Sequence, residues 1–149
     1  VLEAVKLLKL WLLKRNLNNG NGSFNNFIIN MYVAYLLTTR QVNSLMSSYQ
    51  IFRIALLKLS EANWHTNGIS LKDSHKPNEI NKAHNIISTQ DFHKYYEVVF
   101  VDPTGYLNLT SKLSKHTFLR VKHEAKLGLE MLNNEFIDNF DNLFIKNQD

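Results

Sequence analysis

The stretch from Leu17 to Thr39 carries no charged side chain, and it changes character part-way. Its first ten residues hold five asparagines, two glycines and Ser23, whereas Phe27 to Leu37 is apolar but for Asn30. That apolar part is too short for a bilayer span, which needs about 20 such residues. It therefore reads as a soluble, buried helix. Phe24, Phe27, Ile28, Met31, Tyr32 and Tyr35 cover one broad face, and Ile29, Val33 and Leu36 cover much of the other. A helix apolar on both faces belongs at the centre of a fold. Asn18 to Gly22 form the loop before it, with Ser23 as its expected N-cap.

The rest of the chain must wrap that helix, and 149 residues with 44% hydrophobic side chains suffice to do so. A chain of this size buries roughly 68–70% of its unfolded surface. The absence of cysteine excludes a disulfide framework, a thiolate metal site and a cysteine nucleophile.

A first helix is expected over Val1 to Asn16. Its Lys6, Lys9, Lys14 and Arg15 are not confined to one solvent face, and Leu7, Leu10 and Leu13 share half of the wheel with Glu3, Lys6 and Lys14. Such a helix wants apolar contact on more than one side. With Val1 already inside the pattern, residues 1–149 read as a single domain excised from a larger protein, the second contact being a missing neighbour. A third helix opens with a capping box at Ser47 and Gln50 and continues through Ile51, Phe52, Ala55, Leu56 and Leu59, with a short helical turn over Gln41 to Met46 before it. A last long helix is expected over Ser114 to Asn134. Gly128 in its interior costs about 1 kcal/mol relative to alanine, which implies a close helix contact there.

Between these helices the pattern dissolves, and Lys72 to Thr89 read as a loop insertion. Order returns with Val98 to Val101, then Asp102-Pro103-Thr104-Gly105, then Tyr106 to Leu109. Proline second and glycine fourth in the turn indicate a β-hairpin. The fold class is accordingly mainly α, with one β-hairpin.

Metal-assisted nucleotidyl transfer usually begins from two acids at i and i+2 on a strand, and none of the 13 acids has another two residues away. Asp138 and Asp141, three apart in a polar tail, read as a solvated end. The histidines form no metal-ligand spacing, and His116 and His123 stand about 10 Å apart along a helix. No nucleophile elbow, P-loop or dinucleotide fingerprint is present. No metal, cofactor or catalytic residue is expected. Charge placement is more informative: Lys112 to Lys126 holds five cations against Glu124, and Glu130 to Asp149 holds five acids against Lys146. Lys115, Lys122 and Lys126 share one side of the last helix, a ridge suited either to a phosphate backbone or simply to solvent.

With these elements in place, the chain resembles the Nrap (nucleolar protein 6) family. The resemblance is carried by Ala4 to Leu12, Met46 to Arg53, Asn67 to Leu71, Val98 to Leu109 and Val121 to Leu127. It implies the second of several domains, similar to the helical substrate-binding domain of poly(A) polymerases and oligoadenylate synthetases, which follows a nucleotidyltransferase-like domain. It further implies a non-catalytic scaffold of the small-subunit processome, acting in pre-rRNA processing in the nucleolus. Its partners would be the neighbouring domain, other processome proteins and pre-rRNA or small nucleolar RNA, with no membrane contact. Gly22-Ser23-Phe24 also looks like the helix opening of noncanonical poly(A) polymerases, where a tyrosine stacks a base. With Phe24 there, stacking could survive without the hydroxyl, or the ring could serve the core. Two rival readings stay open: the substrate-binding half of an active RNA nucleotidyltransferase, and an RNA-binding module using the basic helix.

Overall fold

The computed structural model describes residues 1–20, 22–72, 88–133 and 141–144. The elements run α1 (Leu2–Lys14), α2 (Asn26–Thr38), α3 (Ser48–Glu61), β1 (Ile69–Ser70), α4 (Thr89–Phe92), β2 (Phe100–Val101) and α5 (Lys115–Leu132), followed by a 3-10 turn, Asp141–Phe144. The architecture is mainly helical, as expected. Nearly all of the expected insertion lies outside the described residues, as does Asp138.

Each long helix ends where its sequence offers a physical reason. Asn16 adopts a left-handed conformation (φ 57°) that stops α1, a geometry asparagine tolerates better than most residues. Ser23 does not cap α2. It and Phe24 are drawn into the core, the Ser23 hydroxyl donates to the Gly20 carbonyl at 2.9 Å, and Asn25 instead accepts from the Ile28 amide at 2.9 Å. The capping box of α3 forms in both directions. Ahead of it the chain makes a turn, not a helix, because Asn43 Oδ1 accepts from the Leu45 and Met46 amides at 2.9 and 3.1 Å. Ser114 caps α5 through the Thr117 amide.

Helices α3 and α5 form the most extensive pair, with α1 laid against α3 and α2. A Cβ on Gly128 would stand 3.4 Å from Leu56 Cδ1 and 3.3 Å from Leu143 Cδ2, so the missing side chain is what lets α5 approach α3 and the 3-10 turn. Arg15 and Glu124 pair at 3.3 Å, largely shielded from solvent, and tie the end of α1 to α5.

The loop after α3 supplies the hub. The buried Trp64 ring stacks near Phe24 (6.1 Å) and Phe118 (5.3 Å), meets Tyr32 edge-on (5.6 Å) and contacts Phe100 (5.2 Å). One indole thus joins the approach to α2, α2 itself, β2 and α5. Aromatic pairs of this kind contribute about 0.5–1.5 kcal/mol beyond their buried area.

The hairpin turn forms, with Gly105 left-handed at φ 84°, but its second arm is not a regular strand. Only Val101 and Asn108 make an antiparallel bridge. The reason is the Asn108 amide, whose Oδ1 accepts from the Phe100 amide at 2.8 Å and whose Nδ2 donates to the Val98 carbonyl at 2.9 Å, taking ladder positions from the main chain. The regular partner of β2 is β1, paired in parallel with Ile69 opposite Phe100.

Asp102 anchors this turn. Burial pushes its carboxyl upward, but hydrogen bonds from the Thr104 hydroxyl (2.8 Å) and the Leu107 and Gly105 amides (3.1 Å each) more than reverse this, leaving it below the usual carboxylate value. A depressed folded-state value stabilises the fold above the unfolded carboxyl's titration range, and that contribution is lost as pH falls through the folded value. Asp102→Ala should cost about 1–3 kcal/mol in urea denaturation, the price of stranding its donors. Asp102→Asn should remove this residue's part of the acid-side stability loss. An acid profile identical to that of the parent chain would refute the assignment.

Candidate functional site

Helix α5 presents its basic residues unequally. Lys115, the first residue of the helix, is exposed, and its backbone amide donates to Glu97 Oε2 at 2.7 Å. Lys122, two turns on, is half-buried and donates from Nζ to Asn63 Oδ1 at 3.0 Å. Neither ammonium lies within an ion-pair distance of an acid among the described residues. Glu124, the acid of this run, is committed to Arg15. The basic charge at the start of α5 is therefore only partly offset, by the Glu97 carboxylate held at its first amide.

The chain before and after Trp64 converges on these lysines. His65 leans on Phe118 of α5, ring centroids 5.6 Å apart, and with Thr66, His93, Lys94, Tyr95, Tyr96, Glu97 and Lys115 lines an open cavity of about 440 Å³. Burial holds the His65 imidazole below its ordinary value, and Lys122, Lys115 and His93 lower it further. Three cationic or potentially cationic groups thus act on one ring. Lys94 is paired with Asp91 at 3.3 Å.

Of the residues singled out from sequence, Lys115 lines this cavity, whereas Lys122 lies outside its lining, bound to Asn63, and reaches it only through its charge on His65. Lys126 is exposed and lies about 16 Å along the axis from Lys115 by the helical rise, away from the cavity lining. His116 and His123 line a separate hollow with Leu119, Arg120 and Glu124. Phe24 is 1% exposed and stacked on Trp64, so a base could reach its ring only by displacing the hub. His65, His93 and Tyr95 were not foreseen: they sit in irregular segments whose spacing carries no signal. Among the described residues, no three of His, Asp and Glu converge as a metal would require, and no helix is long and apolar enough to cross a membrane.

The other unusual surface is on α1. Its inner side buries Ala4, Val5, Leu8, Trp11 and Leu12, while Leu2, Leu10 and Leu13 on the opposite side are 76%, 39% and 44% exposed. These three fall within about a quarter of the helical wheel.

The depressed His65 value has a measurable consequence. The ring favours the neutral form in the fold, so stability is full above the ordinary histidine value and declines as pH falls through it toward the folded-state value. Lys122→Ala should raise the titration midpoint of His65 part of the way back, leaving the burial contribution, as followed by the ring-proton shifts in NMR. An unmoved midpoint would separate the lysine from this cavity electrostatically.

Comparison with known proteins matches residues 1–147 to the Nrap protein PAP/OAS-like domain. The chain is 37% identical over 138 residues to nucleolar protein 6 of Homo sapiens and 38% identical over 138 residues to that of Mus musculus, in each case covering 93% of this chain and 11% of the relative. Nucleolar protein 6 of Drosophila simulans is 34% identical over 145 residues, covering 97% of this chain and 11% of its own length. The chain thus spans about a ninth of the curated relatives it matches. With a helical core of this kind and a match along almost its whole length, the chain belongs to the Nrap family, as its poly(A) polymerase/oligoadenylate synthetase-like domain.

Proposed function

We propose that this domain is a non-catalytic scaffold lobe of a small-subunit processome component acting in pre-rRNA processing. The observation that carries the reading is the second apolar side of α1. Three leucines remain in contact with solvent on a helix whose opposite side is fully committed to the core. Covering them would remove a substantial apolar surface from water at about 25 cal/mol per Å². The occupant we assign is the neighbouring nucleotidyltransferase-like domain of the same protein, since in the enzymes this fold resembles the two lobes act as one body. The scaffold reading also agrees with the acid spacing, which offers no strand-borne carboxylate pair within this chain.

A second reading is favoured by a separate observation. Lys115 lines one cavity with His65, and Lys122 acts electrostatically on the same ring, which suits contact with RNA phosphates. Scaffold and RNA contact are compatible, because α1 and the start of α5 present different surfaces. Pre-rRNA or small nucleolar RNA would be the ligand class.

The scaffold reading is tested by incubating the full-length protein with RNA, magnesium and each nucleoside triphosphate. The expected result is no extension of the RNA above that of a protein-free control. Template-free tailing that is lost on removal of magnesium would assign this lobe to an active transferase instead.

A further inference from the structure

The cavity beside α5 holds more than lysines. Tyr95, at its rim, is 83% exposed, a large aromatic ring left in water beside a cationic hollow. A free phosphate or a phosphorylated side chain has no use for such a ring. A nucleotide does, because every base has a face to stack.

The two histidines point the same way. His65 Nδ1 and His93 Nε2 are buried without a hydrogen-bond partner among the described residues. A neutral imidazole carries its proton on one nitrogen only, and a stranded N–H is tolerated less well than a stranded lone pair. For His65, whose neutral form the fold favours, the proton therefore belongs on Nε2. Both rings line the cavity, and each keeps one ring nitrogen without a hydrogen-bond partner among the described residues. Glu97 already accepts from the first amide of α5, so the cavity draws on side chains and not on the helix end.

We propose that His65, His93 and Lys115 form a phosphate-binding notch for single-stranded RNA, with Lys122 adding positive charge beside it and Tyr95 stacking the adjoining base. The notch rests on the RNA-contact reading above and gives it a location and a ligand chemistry. Lys115 lines the notch, and Lys122, bound to Asn63 outside that lining, is near enough for its charge to act on His65. Lys126 lies outside and adds at most a neighbouring backbone contact.

The test uses the full-length protein and a single-stranded oligouridylate of about a dozen nucleotides, within the range one such module covers. Ultraviolet crosslinking followed by peptide mapping should place a nucleotide on Tyr95. Tyr95→Ala should weaken binding roughly five- to a hundredfold with the salt dependence unchanged, as expected for a lost stack. Lys115→Ala with Lys122→Ala should flatten the log–log salt slope by up to about 1.4, two single-strand phosphate contacts. A flattened slope with no crosslink at Tyr95 and a neutral Tyr95→Ala would overturn the notch while leaving a basic ridge in contact with RNA. An unchanged slope, with crosslinks only in other domains, would overturn the RNA reading itself. Inorganic phosphate supplies the remaining arm. If it alone protects His65 and His93 from carbethoxylation and the RNA does not, the cavity is a small-anion site and the proposal fails.

Discussion

The packing of Trp64 fixes the relation between almost all other parts of this fold. Its indole is shared by residues from the start of α2, from α2 itself, from β2 and from α5, so four segments distant in sequence take their positions from one side chain. Its carbonyl also accepts from the Val99 amide at 3.0 Å, which brings the β2 segment alongside. Asn63 and His65 flank it directly, and they are the residues that meet Lys122 and the cavity at α5. Core packing and the candidate site are thus consequences of the same contact. A close-packed interior transmits such placement because it has little room to relax.

This dependence explains which features could be read from sequence. Helices α1, α2, α3 and α5 declare themselves because periodicity and caps are local, as with Ser47–Gln50 and Ser114. Gly128 was legible for the same reason: a glycine inside a strong helical pattern needs a neighbour close by. The parallel pairing of Ile69–Ser70 with Phe100–Val101 was not legible, since two residues carry no alternation and their partner is thirty positions away. Asn108 reads as an ordinary hairpin residue, and only the tertiary setting reveals that its amide replaces part of the ladder. Likewise α4, with its Ser88–Asp91 capping box, fell at the edge of a segment read as an insertion. In the candidate site, Lys115 and Lys122 follow from helical spacing, whereas His65, His93 and Tyr95 arrive from irregular segments that only Trp64 and β2 bring near.

Functionally, the domain divides its surface. One side of α1 is core and the other leaves Leu2, Leu10 and Leu13 in contact with solvent, while the start of α5 carries lysines whose nearby acid Glu124 is paired with Arg15. The scaffold reading proposed above would use both: the apolar side of α1 as its seat and the basic start of α5 as a separate surface. Phe24, 1% exposed, is packed on Trp64 and belongs to the core.

The most direct measurement is hydroxyl-radical footprinting of Leu2, Leu10 and Leu13 in the full-length protein, referenced to the buried Leu8 and Leu12 on the other side of the same helix. Docking of this lobe through α1 predicts that all five leucines are oxidised slowly. Rapid oxidation of Leu2, Leu10 and Leu13 with Leu8 and Leu12 protected would show the outer side of α1 open to water and contradict the account.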